Sequence, residues 1–139
     1  MASLYNNCIS QVQVQGECSR TFRLKKGVRQ GDTLSPKVFN AGLEQVFRAL
    51  HWETKGVKIN GEMLNHLRFA DDIVLISHSA LELQGMLSEL NAESLRLGLK
   101  MNMKKTRVMF NNLAKADGIS IGVAGKPVEI IENNIYLGQ

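Results

Sequence analysis

The spacing of apolar residues changes period several times along the chain. Ile9, Val12 and Val14 sit among polar residues from Ile9 to Gln15, Gly16-Glu17 offers a turn, and Phe22 and Leu24 resume the alternation from Arg20 to Leu24. Alternation on both sides of a turn predicts a β-hairpin with one wet face. Ser35-Pro36 then opens a helix, with Ser suited to the N-cap and Pro to the first helical position. Phe39, Leu43, Val46, Phe47 and Leu50 follow at helical spacing as far as His51-Trp52. Val57-Lys58-Ile59 followed by Asn60-Gly61 predicts a tight hairpin whose return strand runs to Phe69. Past Ala70-Asp71-Asp72, the run Ile73-Val74-Leu75-Ile76 reads as a strand covered on both faces.

Ser79-x-x-Glu82 is a capping box, and Leu83, Met86, Leu87, Leu90 and Leu97 keep one apolar stripe over the helix that follows. Gly98 is placed to close that helix. A Lys-rich turn leads to a strand from Thr106 to Phe110, and two short strands flank Gly125-Lys126-Pro127. The order is hairpin, helix, hairpin, helix, strand, hairpin. Adjacent strand pairs separated by two helices predict an α+β fold: an antiparallel sheet with helices packed on one face. At 139 residues the chain reads as one domain, residues 1–139, without internal repeats.

Composition narrows the function classes. Hydrophobic residues make up 44% of the chain, enough for an ordinary core and too many for a disordered polypeptide. Lys and Arg exceed Asp and Glu by 17 to 13, a net charge of +4 that permits a nucleic-acid partner without demanding one. No apolar run approaches the roughly 18 residues of a membrane span. Met1 to Gln15 is rich in Asn and Gln and has no apolar centre, so no secretory leader is expected. Cys8 and Cys18 form neither a CxxC motif nor a disulfide framework and read as reduced thiols of an intracellular protein. His51, His66 and His78 lack metal-ligand spacing, Trp52 reads as packing the end of its helix, and Met63, Met86, Met101, Met103 and Met109 read as core or edge filler.

Three segments carry candidate chemistry. In Phe69-Ala70-Asp71-Asp72, adjacent carboxylates head an apolar strand, where an unpaired buried charge costs several kcal/mol at least. Mg²⁺ prefers such hard oxygen ligands, and Asp71, at the tip, is the better placed, with Asp72 assisting. Asp is equally a good turn former, so solvated side chains are the bland alternative. In Gly27-Val28-Arg29-Gln30-Gly31-Asp32-Thr33-Leu34-Ser35-Pro36, glycines allow close backbone approach, Arg29 can grip phosphate and Gln30 can hydrogen-bond a sugar or base edge. A solvated loop is the alternative there. Gly98 to Thr106 carries Lys100, Lys104 and Lys105, suited to phosphate but also to a plain wet surface.

Taken in order, GVRQGDTLSP, FADD, GLKMNMKKT and YLG resemble the palm of a reverse transcriptase, with the non-LTR, LINE-type retrotransposon enzymes the nearest in pattern and group II intron maturases more distant. The resemblance runs from about Leu4-Tyr5 to the last residue, and FADD in place of YxDD is usual for this branch. It implies RNA-directed DNA polymerisation by two-metal nucleotidyl transfer, with Mg²⁺ or Mn²⁺, an RNA template, a DNA primer and a dNTP. It implies that Asp71 and Asp72 are catalytic and metal-binding, with Asp72 the less demanding of the two. Arg29, Gln30 and Gly31 would line the nucleotide pocket, and Lys105 would protonate the leaving pyrophosphate. Tyr136, Leu137 and Gly138 would begin the primer grip.

Against that pattern the fingers, the first catalytic-aspartate motif and the thumb are absent from residues 1–139. Asp32, Glu44, Asp117 and Glu17 do not head apolar strands and are poor substitutes for the missing carboxylate. The expectation is therefore a partial palm, inactive alone, with the Ile73–Ile76 strand left with an unpaired edge that invites self-association. A non-enzymatic retrotransposon relic that at most binds nucleic acid is the alternative.

Overall fold

The computed structural model describes residues 9–23, 33–111, 120–133 and 135. The backbone forms two compact units, residues 1–39 and 40–139, and helix α1 (Ser35–Arg48) runs across their boundary.

In the first unit, β1 (Ile9–Ser10) pairs antiparallel with β4 (Phe22–Arg23), and β2 (Gln13–Val14) with β3 (Glu17–Cys18). This is the expected hairpin, interrupted where Ser19 N donates to Val12 O at 2.8 Å and Val12 N donates to Ser19 Oγ at 2.9 Å. The turn is Gln15-Gly16, one residue earlier than expected, with positive φ at both positions. Ile9, Val12, Val14 and Phe22 are all exposed, so no dry face is formed here.

The second unit holds the rest of α1, where Leu43, Val46 and Phe47 are buried together with Leu50 and Trp52 just beyond. α1 ends at Arg48, short of the expected His51-Trp52: the Ala49 N–H is shared between the Gln45 and Val46 carbonyls, and the Leu50 N–H turns to Phe47, three residues back. β5 (Val57–Ile59) and β6 (Glu62–Leu64) form the Asn60-Gly61 hairpin, whose turn residues have φ of 51° and 93°, as a type I′ turn requires. The return strand does not run unbroken to Phe69. It stops at Asn65, whose Nδ2 donates to Trp52 O at 2.7 Å, and resumes as β7 (His66–Phe69), paired with β8 (Asp72–Leu75).

Helix α2 (Ala80–Arg96) begins at Ser79, whose Oγ accepts from Glu82 N at 3.2 Å. The second half of the capping box is diverted: Ser79 N donates to Ser77 Oγ, and the Ser77 hydroxyl donates to Glu82 at 2.5 Å. Gly98, at φ 76°, closes the helix as a Schellman motif, with Leu99 N bonded to Ser94 O and Gly98 N to Leu95 O. Met86, Leu87 and Leu90 are buried as expected, whereas Leu97 is 47% exposed because the backbone has already turned at the cap.

Beyond the Lys-rich turn, β9 (Arg107–Met109) pairs with β12 (Glu129–Ile131) in parallel, which corrects the expectation of a purely antiparallel sheet. Between them β10 (Gly122–Val123) and β11 (Lys126–Pro127) form a hairpin at Ala124-Gly125. The Gln84 side chain docks that hairpin on α2: its Nε2 donates to Gly122 O at 2.9 Å and its Oε1 accepts from Gly122 N at 2.7 Å. Leu87, Val108, Ile121, Val123 and Val128 make the buried core here, with Leu75, Leu83, Met101, Met103 and Phe110 packed around it. Met86 and these two methionines fill core space, but Met109 is exposed. The architecture is α+β, yet the described strands lie in separate two-stranded pairs and not in one continuous sheet.

Candidate active site at the FADD hairpin

The register Phe69↔Asp72, Arg68↔Ile73, Leu67↔Val74 and His66↔Leu75 leaves Ala70-Asp71 as a two-residue turn. Asp71 stands at the tip and Asp72 begins β8; both are exposed. The turn differs from the other three tight turns. All four have positive φ at the first position, 49° to 53° on Gln15, Asn60, Ala70 and Ala124, but the other three follow it with a positive-φ glycine, whereas here the second position is an ordinary-φ aspartate. A Cβ in that region costs about 1–2 kcal/mol.

Side chains alternate across a strand. His66, Arg68, Ile73 and Leu75 therefore share one face of the hairpin, and Leu67, Phe69, Asp72 and Val74 the other. The first face is anchored. His66 stacks on Phe47 at 4.5 Å with rings 29° apart, Arg68 lies over the same ring at 4.3 Å, and Arg68 Nη2 donates to Glu44 at 2.9 Å. Leu75 packs against the core. The second face is open: Phe69 is 63% exposed and Leu67 is exposed as well. β8 pairs only with β7 among the described residues. Ile73 to Ile76 are half-buried, not covered on both faces, because of that open side.

The charges at the root of the hairpin are mutually compensated. Arg68 and then Arg48 hold the Glu44 carboxyl below its usual range by hydrogen bonding. Burial, and after it the Arg68 charge, pushes the His66 imidazole below its ordinary value, so neutral imidazole is favoured against the ring. Nearby, α2 clasps the 52–56 segment with two carboxylates. Glu89 accepts from Trp52 Nε1 and Lys55 Nζ, each at 2.7 Å, and Lys55 foremost lowers its pKa. Burial raises the Glu82 pKa, but Ser77, the Gly56 N–H, His78 and Lys55 together outweigh it and leave the group below its usual range.

Lys105 is exposed in a turn built on Asn102, whose carbonyl accepts from both Lys105 N and Thr106 N at 2.9 Å. It makes no ion pair with Asp71 or Asp72 among the described residues. Arg29, Gln30 and Gly31, and Tyr136, Leu137 and Gly138, lie outside the described residues. The structure thus brings together Asp71 and Asp72 and leaves the other expected site residues apart or outside. No group of three or more His, Cys, Asp or Glu side chains able to hold a metal occurs among the described residues. The tip offers two hard oxygen donors suited to Mg²⁺ in kind but not a closed site.

Sequence reasoning passed over Arg68, and weighed Glu44 only as a substitute carboxylate and His66 only as a metal ligand. Arg68 sits three residues before Asp71 on a short strand, and its partner Glu44 lies 24 residues upstream on a helix face, so no local spacing links them.

A family model described as reverse transcriptase (RNA-dependent DNA polymerase) matches residues 1–132. The chain is 36% identical over 106 residues to the retrovirus-related Pol polyprotein from the type-1 retrotransposable element R2 of Nasonia vitripennis, covering 76% of this chain and 10% of that protein. It is 32% identical over 128 residues to the corresponding polyprotein from the type-2 element R2DM of Drosophila melanogaster, covering 89% and 11%. A transposon-derived protein of Caenorhabditis elegans is 36% identical over 85 residues, covering 60% and 30%. The chain spans about a tenth of the length of the two polyproteins.

Proposed function

Since the chain belongs to the reverse transcriptase (RNA-dependent DNA polymerase) family, as a reverse transcriptase domain of a non-LTR retrotransposon element, we propose that it supplies part of the polymerase palm and that the FADD hairpin carries its catalytic carboxylates. The carrying observation is the tip itself: adjacent exposed carboxylates presented by a hairpin turn that has aspartate where the other three have a positive-φ glycine. Asp71 would hold Mg²⁺, or Mn²⁺ in its place, with Asp72 assisting. Bound metal would supply activation of the primer 3′-hydroxyl and charge neutralisation on the leaving pyrophosphate.

Such a metal centre needs a further carboxylate, which on this reading another polypeptide segment supplies. Arg29, Gln30 and Gly31 are assigned to the incoming nucleotide, with Arg29 on phosphate. Lys105 is the proton donor to pyrophosphate, and Tyr136, Leu137 and Gly138 contribute to gripping the primer. RNA template, DNA primer and dNTP are the partners of the whole enzyme, and the unpaired edge expected on β8 favours self-association of the isolated chain.

Primer extension on an RNA template tests this, with Mg²⁺ and with Mn²⁺, beside Asp71→Asn. No extension by the chain alone, together with Mn²⁺-dependent dNTP binding that weakens in Asp71→Asn, is the expected result. Extension that vanishes in the mutant would show that the site is complete after all. Unchanged dNTP binding in the mutant would remove the metal role from the tip. The alternative reading, favoured by the net charge of +4, is a relic that at most binds nucleic acid through its basic loops. That reading predicts salt-sensitive, sequence-blind RNA binding indifferent to Asp71→Asn.

A further inference from the structure

The carboxylates of the FADD tip are carried by a two-stranded ribbon, and such a ribbon is marginally stable by itself. Its outward face is open, so what fixes it must come from the other face or from its root. At the root, Ile76 N donates to Asn65 O at 2.8 Å. On the inner face, the only described polar side chain that bonds to another element from within β7 or β8 is Arg68. It makes two contacts of different kinds with α1: the guanidinium donates to Glu44 at 2.9 Å, and its carbon lies over Phe47, 4.3 Å from the ring centre. Phe47 is itself held, buried in the α1 core and stacked by His66 on its other contacts. Glu44 is shared with Arg48, and so carries a charge that both arginines stabilise.

We propose that Arg68 is a positioning residue for the Asp71-Asp72 tip: through Glu44 and the Phe47 ring it pins β7 to α1 and so keeps the two carboxylates in one orientation. The functional consequence rests on the reading of Asp71 and Asp72 as metal ligands; the mechanical claim does not. Arg68 suits the task because its planar fork can pair with a carboxylate while its face lies on an aromatic ring, which an ammonium cannot reproduce. Its side chain is 29% exposed and Glu44 44%, so the pair adds little to the stability of the whole fold. Its effect falls on the tip half of the ribbon, since His66 on Phe47 and Leu75 in the core hold the root half of the same face.

The test uses the full chain and the variants Arg68→Lys, which keeps the charge, Glu44→Gln, the double variant and Asp71→Asn. NMR relaxation reads order at the Ala70 and Asp71 amides, hydrogen exchange reads the amides of α2 and β9, and line broadening by Mn²⁺ reads binding at the tip. In Arg68→Lys, tip order is expected to fall from about 0.85, the rigid range, to below about 0.6, while α2 and β9 exchange as in the parent. Mn²⁺ binding should weaken about threefold to tenfold, the ordering cost of one freed side chain. Glu44→Gln should act in the same direction, and the double variant should add little, since both substitutions break one joint.

Tip order unchanged in Arg68→Lys would overturn the proposal. So would α2 and β9 loosening as much as the tip, since Arg68 would then be a general stabiliser, and so would additive effects in the double variant. If Mn²⁺ broadening survives intact in Asp71→Asn, the metal reading of the tip fails, and the order measurement still decides the role of Arg68.

Discussion

Gly56→Ala should be far more damaging than its size suggests, and the structure gives the reason in two parts. Gly56 is buried with φ at 103°, a conformation that costs a residue bearing Cβ roughly 1–3 kcal/mol. The added Cβ would also overlap the Leu64 carbonyl oxygen and stand 2.7 Å from Asn65 Cα and 2.8 Å from Asn65 Cβ. Those are not yielding atoms. Asn65 is bonded to Trp52 O and His66, and its carbonyl accepts from Ile76, so pushing it displaces the root of the FADD hairpin. Strain and overlap together come to about 3 kcal/mol. For 139 residues the unfolding entropy is about 0.3 kcal/mol/K, so the midpoint should fall by about 10 °C. Gly61→Ala is the control: φ is 93° but nothing lies within 4 Å of its Cβ, so strain acts alone and the loss should be about a third to a half as large. Thermal unfolding followed by circular dichroism compares the two. Equal melting temperatures for both variants would refute the argument from close approach.

Met86, fully buried on α2, should cost about 2–5 kcal/mol as Met86→Ala, read as a shift in urea midpoint; a loss under about 1 kcal/mol would mean the site collapses around the gap. The His66 pKa is lowered from its ordinary 6.5, so below that pH the unfolded chain takes up the proton first. Stability should therefore fall as pH drops from about 6.5 to the folded-state pKa and then level off, and urea unfolding of His66→Gln should lack that limb. Ala70→Gly removes the Cβ strain at the tip but loosens the unfolded chain, so the net gain should be at most about 1 kcal/mol in melting experiments, and a marked loss would show that the turn is not strained.

Elements governed by neighbours in sequence were readable before the structure. The Ser79 cap, the Gly98 terminus and the Asn60-Gly61 turn each depend on atoms within a few residues. What escaped was set at a distance. The break at Asn65 follows from a bond to Trp52, 13 residues back, and nothing in the run from Glu62 to Phe69 announces it. The parallel pairing of β9 with β12 depends on a hairpin interposed between two short strands, which carry no orientation signal of their own. Glu82 was readable as a capping residue, but its carboxylate serves Ser77 and Gly56 instead, because the 52–56 segment lies beside α2. For the candidate site, the tip aspartates were legible as a motif, while the Arg68–Glu44–Phe47 joint required the packing of α1 on β7.

The clasp by which Glu89 holds the 52–56 segment also gives the molecule an optical probe. Trp52 is the single tryptophan of the chain, and it is buried with its N–H bonded to Glu89 and its ring edge-on to Phe47 at 5.9 Å. Its neighbour His66, with ring centres 6.2 Å apart, lies on the strand that carries the aspartates. Tryptophan emission, excited to the red of tyrosine absorption, therefore comes from one place only, at the junction of α1, α2 and β7. A red shift there marks the opening of that junction to water, and quenching as the imidazole charges marks the proton arriving at His66.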